Sequence, residues 1–254
     1  MQREQKFWRT HMINKSSTQA QTVPGLKYFP SGTLDQLNTL TGLDAEQIAN
    51  ILGMINGPEQ SKSEWWLTAD DEIIYGYAEN IDDGRGVTIG LYGATTGQGY
   101  SDADVIWENY GHKEYGKLAQ EELIEKVHEI ANDPKWWKAQ WDAYISTYWK
   151  PTMALLKSKG YTKALTIGAV MDTAMNAGMG DDDDKHWGVE HLFQEAIAQT
   201  QSEQDFLGKF MELRLKYPTR DSGDMKQRVG AWQKLWRDRQ WDMHIDLNNY
   251  VYIP

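Results

Sequence analysis

Cysteine is absent from all 254 residues, so no disulfide staples the chain and no thiolate serves as nucleophile or metal ligand. Long apolar runs are missing too: no stretch approaches the roughly 18 uninterrupted apolar residues that a membrane-spanning helix requires. The opening MQREQKFWRTHMINKSSTQAQTVPG is polar and shows no secretory signal. Basic residues are in deficit, 26 against 37 acidic, for a net charge of −11. That balance disfavours nucleic acid, which is bound by neutralising phosphates, and suits a cationic ligand. It also serves plain solubility. The six histidines form neither an HExxH arrangement nor a tight cluster, so no catalytic metal and no cofactor are expected. Phe is scarce at five, whereas Trp and Tyr number 12 and 13, and such amphipathic rings stack on sugar faces as readily as they fill cores.

What is present points to a folded, mainly helical protein. Apolar residues at 40% and charged residues at 25% are globular values, which exclude a disordered or fibrous class. Residues 1–30 lack periodicity, carry Pro24 and Pro30, and read as an extended arm; residues 31–254 read as one domain of two lobes. Asp44 caps a helix through Ile48, Ile51, Leu52 and Ile55, with Asn56-Gly57-Pro58 as its stop and Glu59 just beyond.

The pattern then changes to short β-prone runs at 73–79 and 87–92 around Asn80-Ile81-Asp82-Asp83-Gly84-Arg85-Gly86, a hairpin signature. The glycine-rich 93–99 reads as a loop, and without GxxxxGK[ST] it is no phosphate cradle. Leu118, Leu123, Val127 and Ile130 mark one amphipathic helix. Trp137, Trp141, Tyr144, Ile145 and Tyr148 mark another, begun by Asp133-Pro134. Further helices are predicted at about 162–176, 187–199, 203–217 and 223–238, with Phe206, Phe210 and Leu213 as one stripe. The expected fold class is α+β, mainly helical, with a small antiparallel sheet beside a cleft.

Cleaving a glycosidic bond takes a protonated carboxyl at the leaving oxygen and a second carboxylate that activates water or attacks the sugar. Glu59 at a helix end and Asp83 in a hairpin turn would face one another across a cleft between a helical lobe and the sheet. Taken singly, each reads more simply as a solvated helix-end acid and a turn residue.

The segments INGPEQSKSEW and YGYAENIDDGRGVTIGLYGATTGQG resemble the catalytic region of the family 46 chitosanases. Glu59, with Trp65 six residues on, matches the family's acid and its tryptophan; Asp83 in DDGRG matches its base. The resemblance implies a lysozyme-like, two-lobed fold and an inverting endo-chitosanase. It also implies that Thr88 holds the attacking water with Asp83, and that Tyr77, Glu79 and Arg85 line the sugar cleft. VMDTAMNAG, FMELRLKY and KQRVGAW resemble segments whose Asp172, Arg214 and Arg228 form a buried ionic network behind the acid. Arg85 also reads simply as a salt bridge that stiffens the turn.

Departures accompany the likeness. Tyr100 stands where many relatives carry Asp, with Asp102 or Asp104 nearby to substitute, and Ala177 precedes Gly178 where a histidine is common. About six extra residues separate Trp65 from the hairpin. The acidic run Asp181 to Asp184 reads as a solvated loop. The implied partner is chitosan or a chito-oligosaccharide, with neither nucleic acid nor membrane involved. A monomer is expected, working extracellularly with any export signal already removed. Two rival readings stay open: a lysozyme-like peptidoglycan hydrolase and a non-catalytic saccharide-binding protein.

Overall fold

The computed structural model describes residues 23–82, 84–97, 102–180, 188–216 and 225–254. Asp44 starts the helix on which the site is built. Its Oδ1 accepts from the Gln47 N–H at 3.0 Å while its own N–H donates to Gln47 Oε1 at 2.8 Å, a reciprocal cap for α2 (Ala45–Gln60). Ile48, Ile51, Leu52 and Ile55 fall on the buried face as their spacing predicts. Each contributes about 1.5–3 kcal/mol of apolar burial.

Asn56-Gly57-Pro58 does not stop this helix. Proline forfeits one backbone bond, yet α2 continues to Gln60 and ends only where Ser61 turns left-handed at φ 55°. Tertiary contacts override the local signal. The Asn56 amide donates to the carbonyls of Lys62, Glu64 and Leu67 at 3.0 to 3.1 Å, folding the next loop back onto the last turn. Glu59 therefore sits in that turn rather than after it.

A short helix, α1 (Thr33–Thr41), precedes α2, and among the described residues seven lie between the hairpin and the last helix: α3 (Asp102–Tyr110), α4 (Gln120–Ile130), α5 (Pro134–Tyr144), α6 (Lys150–Ser158), α7 (Ala164–Ala177), α8 (Val189–Ala198) and α9 (Glu203–Lys216). The last is α10 (Met225–Arg237). Five residues of π-helix, Ile145–Trp149, join α5 to α6. The α7 helix is buried on every side from Ala164 to Ala174 and packs against α2, α6, α8, α9 and α10. Gly168 makes that crossing possible, because an added Cβ would stand 2.8 Å from the Trp232 ring and 3.0 Å from Ile51.

The sheet is small: β1 (Ala78–Glu79), β2 (Thr88–Ile89) and β3 (Ala94–Thr95) pair antiparallel in sequence order. The expected strands are thus trimmed by short 3₁₀ turns at Ile74–Gly76 and Gly90–Tyr92, and part of the expected glycine-rich loop forms β3. Side chains of α5 pin this layer. Trp136 Nε1 donates to the Tyr75 carbonyl at 2.7 Å, Trp141 Nε1 to the Tyr75 hydroxyl at 2.7 Å, and the Leu91 N–H reaches Gln140 Oε1 at 2.7 Å. The fold is mainly helical with a three-stranded antiparallel sheet, as the sequence predicts. No helix among the described residues is long and apolar enough to cross a membrane.

The segment after α10 returns to the start of α2, where His244 Nε2 lies 2.8 Å from Asp44 Oδ2. Hydrogen bonding to Asp44 raises the His244 pKa above its ordinary 6.5, and partial burial opposes this only in part. Burial alone would raise Asp44, but the Gln47 N–H and His244 together hold it below its ordinary 3.8. A raised histidine stabilises below its unfolded value and loses that contribution as pH climbs through the folded one; the lowered aspartate behaves oppositely. The pair therefore contributes fully between about pH 3.8 and 6.5. Because both side chains are well exposed, its worth is at most about 1 kcal/mol. Urea unfolding of the parent and of His244→Gln should differ by that amount near pH 5.5 and converge near pH 9; a gap that persists at high pH would refute the ionic account.

Candidate active site

Four charged side chains meet where α2, α7, α9 and α10 converge. Asp172, fully buried on α7, accepts from Arg228 Nε through Oδ1 at 2.8 Å, and the same oxygen lies 2.7 Å from Nη2 as an ion pair. Its Oδ2 accepts from Arg214 Nη1 at 2.8 Å. Arg214 Nη2 donates onward to Asn176 Oδ1 at 3.1 Å. Arg228 turns its remaining terminal nitrogen outward and places Nη1 2.5 Å from Glu59 Oε1. The Glu59 side chain retains 41% of its accessible surface, against 5% for Arg228 and none for Asp172. A charge-balanced chain thus runs from the core to one carboxylate that solvent, or a ligand, can reach.

Burial alone would raise the Asp172 carboxyl, but the Arg228 and Arg214 guanidiniums overcome it and hold the group below its ordinary 3.8. Burial likewise opposes the charge on Arg228, and Asp172 with Glu59 more than offsets it, so its pKa rises above the ordinary arginine range.

Aromatic residues of α5 and the π-helical turn lie within electrostatic range of Glu59. Burial is the main cause of the raised Tyr144 and Tyr148 hydroxyl pKa values, and the negative charge of Glu59 adds to both. Tyr148 also donates to Asp102 Oδ2 at 3.1 Å, linking the Glu59 neighbourhood to the first turn of α3. π-helical turns recur at functional sites. Sequence spacing had these tyrosines only as a packing stripe. A single inserted residue in a helix leaves no mark in a hydrophobic pattern.

The sheet carries the other expected residues. Thr88 and Glu79 face each other in register across β1 and β2. Thr88 is buried, and its Oγ1 has no hydrogen-bond partner among the described residues. Tyr77 donates to Glu79 Oε2 at 3.2 Å, and burial together with that carboxylate pushes its hydroxyl up to about 12, keeping it a donor at neutral pH. Arg85 lies exposed in the turn, its backbone closely approached by Gly97. The turn is built from left-handed residues, Asp82 at φ 55°, Gly84 at 82° and Gly86 at 83°, and Asn80 fastens it to α4 by donating to Gln120 Oε1 at 2.9 Å. Asp83 lies outside the described residues, as do Tyr100, Ser101 and the run Asp181 to Lys185.

Trp65, the matched tryptophan, is buried against Phe29, Trp66 and Trp141. Among the described residues no group of three or more His, Asp or Glu has the arrangement to hold a metal ion.

Known proteins share this architecture. A native chitosanase from Bacillus subtilis MY002 superposes with a TM-score of 0.63 at 22% identity, covering 80% of this chain and 94% of its own. A Gynuella sunshinyii family 46 chitosanase in complex with chitotetraose gives 0.65 at 21%, covering 80% and 93%. At those identities the likeness concerns the fold. In sequence, a chitosanase of Niallia circulans is 33% identical over 178 residues, 59% of this chain and 57% of the relative's length. A chitosanase of Bacillus subtilis strain 168 is 27% identical over 215 residues, 70% of this chain and 77% of its own. The profile of glycosyl hydrolase family 46 matches residues 111–247, which include Asp172, Arg214 and Arg228 and leave Glu59 and Thr88 ahead of the matched region. Because that match spans more than half of the 254 residues, the chain belongs to glycosyl hydrolase family 46.

Proposed function

We propose that this protein is an extracellular endo-chitosanase that hydrolyses β-1,4 linkages between glucosamine units with inversion at the anomeric carbon. One observation carries the reading: in a member of this family, the half-exposed Glu59 carboxylate is tied at 2.5 Å to a guanidinium that is itself fixed in the core. A carboxyl group so anchored holds its direction while a polymer moves past it, and that is what a positioned proton donor requires.

In the proposed step, Glu59 gives its proton to the leaving glycosidic oxygen as that bond breaks. A water attacks the anomeric carbon from the opposite face and passes a proton to Asp83. Inverting enzymes hold two such carboxyls about 6.5–9.5 Å apart, leaving room for the water. Thr88 suits the task of orienting it, since its buried Oγ1 has both donor and acceptor capacity uncommitted among the described residues.

Glu79 and Asp102 supply carboxylates for glucosamine ammonium groups, Tyr77 a hydroxyl, and Arg85 a donor to sugar oxygens. The net charge of −11 draws a polycation toward the protein. We place Asp172 and Arg214 behind the reaction as supports and Arg228 as the link that carries their rigidity to Glu59. A cleft between two lobes of residues 31–254, and a monomeric state that admits a long polymer, belong to the same reading.

Proton NMR of fresh digests tests it. The α-anomer should appear first from chitosan, together with an early fall in viscosity, and peptidoglycan should release no reducing ends. An initial β-anomer would replace inversion by retention, and lysis of peptidoglycan in preference to chitosan would reassign the substrate.

A further inference from the structure

The helix that carries Glu59 is weakest where it matters most. Its second half holds Gly53, Gly57 and Pro58, the two residue types least compatible with a helix interior. Both glycines have the same occupant. A Cβ at Gly57 would stand 2.4 Å from Val251 Cγ2 and 2.5 Å from the Tyr252 carbonyl oxygen; at Gly53 it would meet Leu247 Cδ2 at 2.3 Å and the Ser63 carbonyl oxygen at 2.6 Å.

The segment that follows α10 runs along α2 in the same direction, from cap to last turn. Gln47 Nε2 donates to the Asp242 carbonyl at 2.7 Å and Asn50 Nδ2 to the Met243 carbonyl at 2.8 Å. Leu247 then covers Gly53, and Val251 covers Gly57. Positions 47, 50, 53 and 57 form one stripe of the helix, so the contacts make a continuous seat. The same segment is held by α10, where Lys234 Nζ donates to the Asn249 carbonyl at 2.6 Å and lies 4.7 Å from the centre of the Tyr250 ring. It therefore bridges the helix of Glu59 to the helix of Arg228, the two sides of the 2.5 Å contact.

We infer that residues 242–252 form a positioning strap for Glu59, with Val251 and Tyr252 seated on Gly57 to hold the last turn of α2 against Arg228. The inference rests on reading Glu59 as the proton donor. Glycine at 57 weakens the helix and in exchange lets the strap lie two residues from the reacting group. A strap of this kind governs the catalytic step and leaves binding of the sugar chain to the sheet and α3.

Two variants and their combination decide it: a chain shortened to end at Tyr250, Gly57→Ala in the full chain, and both together. Measured on chitosan well below each variant's Tm, the shortened chain and Gly57→Ala should each lose between about tenfold and a hundredfold in kcat with KM within about twofold, the scale expected from misplacing a reacting group by about 1 Å. The combination should be no worse than shortening alone, because Val251 and Tyr252, which the new methyl would crowd, are then gone. Crystal structures of the variants should show the Glu59 to Arg228 contact opened.

Unchanged kcat in the shortened chain, losses that multiply in the combination, or a retained 2.5 Å contact would overturn the strap. If the shortened chain does not fold, Gly57→Ala decides by the same kinetic and structural readouts. An inactive parent would instead remove the functional reading, and the Glu59 to Arg228 distance would still decide the strap.

Discussion

Glu59→Gln is expected to lower kcat on chitosan by about 10²–10⁴-fold, the range that a general acid contributes. Tm and KM should stay close to the parent values. Glutamine preserves the shape of the side chain and keeps an oxygen that can accept from Arg228 Nη1, so the contact to the buried network survives in neutral form. What it lacks is a proton that it can transfer to the leaving oxygen. The side chain is 41% exposed and the buried Arg228 keeps its charged contact with Asp172, so the change costs little stability and a folding defect is not expected. Reducing-end assays at saturating and limiting substrate separate the possibilities. A kcat within a few fold of the parent would remove Glu59 from the reaction, and a raised KM with kcat intact would make it a binding residue. Asp83→Asn should give a comparable loss for the complementary reason, an amide being unable to take the proton from water.

The helices were largely legible because their signals were local. The Asp44 cap, the Ile48 to Ile55 face and the Phe206, Phe210, Leu213 stripe all lie where the spacing places them. Local signals also failed in identifiable ways. Pro58 reads as a stop, and only the Asn56 amide reaching three carbonyls shows why α2 passes through it. Helices α1, α3 and α6 were not anticipated, each being nine residues long and too short to establish a period. On α5 the stripe was drawn through Trp137, yet Trp136 is the fully buried ring and the one that pins Tyr75.

At the site, Asp172, Arg214 and Arg228 were singled out from a resemblance. A physical signal was also present: Asp172 is the single charged residue in the apolar run from Ala164 to Ala177, so a helix buried on all sides had to supply it with cations. Its partners, 42 and 56 residues away, cannot be read from a pattern. The bridge from Arg228 to Glu59 joins helices far apart in the chain and is equally invisible to spacing. The same holds for the strap at Gly57, where the sequence shows only an unexplained glycine.

The buried network sets the second large effect. Asp172→Asn should destabilise the protein by about 3–5 kcal/mol, because it leaves Arg214 in the core without its counter-charge and Arg228 with Glu59 alone. For a chain of this size that corresponds to a Tm lower by roughly 6–20 °C. Arg214→Met should cost less, since Asp172 keeps both of its contacts with Arg228 and a long apolar side chain fills much of the vacated space.

The pH dependence follows from the lowered carboxyl. Its contribution is present above the ordinary value of 3.8 and fades as pH falls through the folded one, so parent and Asp172→Asn should differ fully at neutral pH and converge only in strong acid. Activity provides a separate readout. With Asp172 neutralised, Arg228 is released to pair more closely with Glu59 or to swing away, and either motion shifts the proton donor, so kcat should fall well below the parent even at temperatures where the variant is fully folded. A variant that keeps the parent's Tm and kcat would mean that the two arginines are balanced by something other than Asp172, and the chain of charge from the core to Glu59 would have no mechanical role.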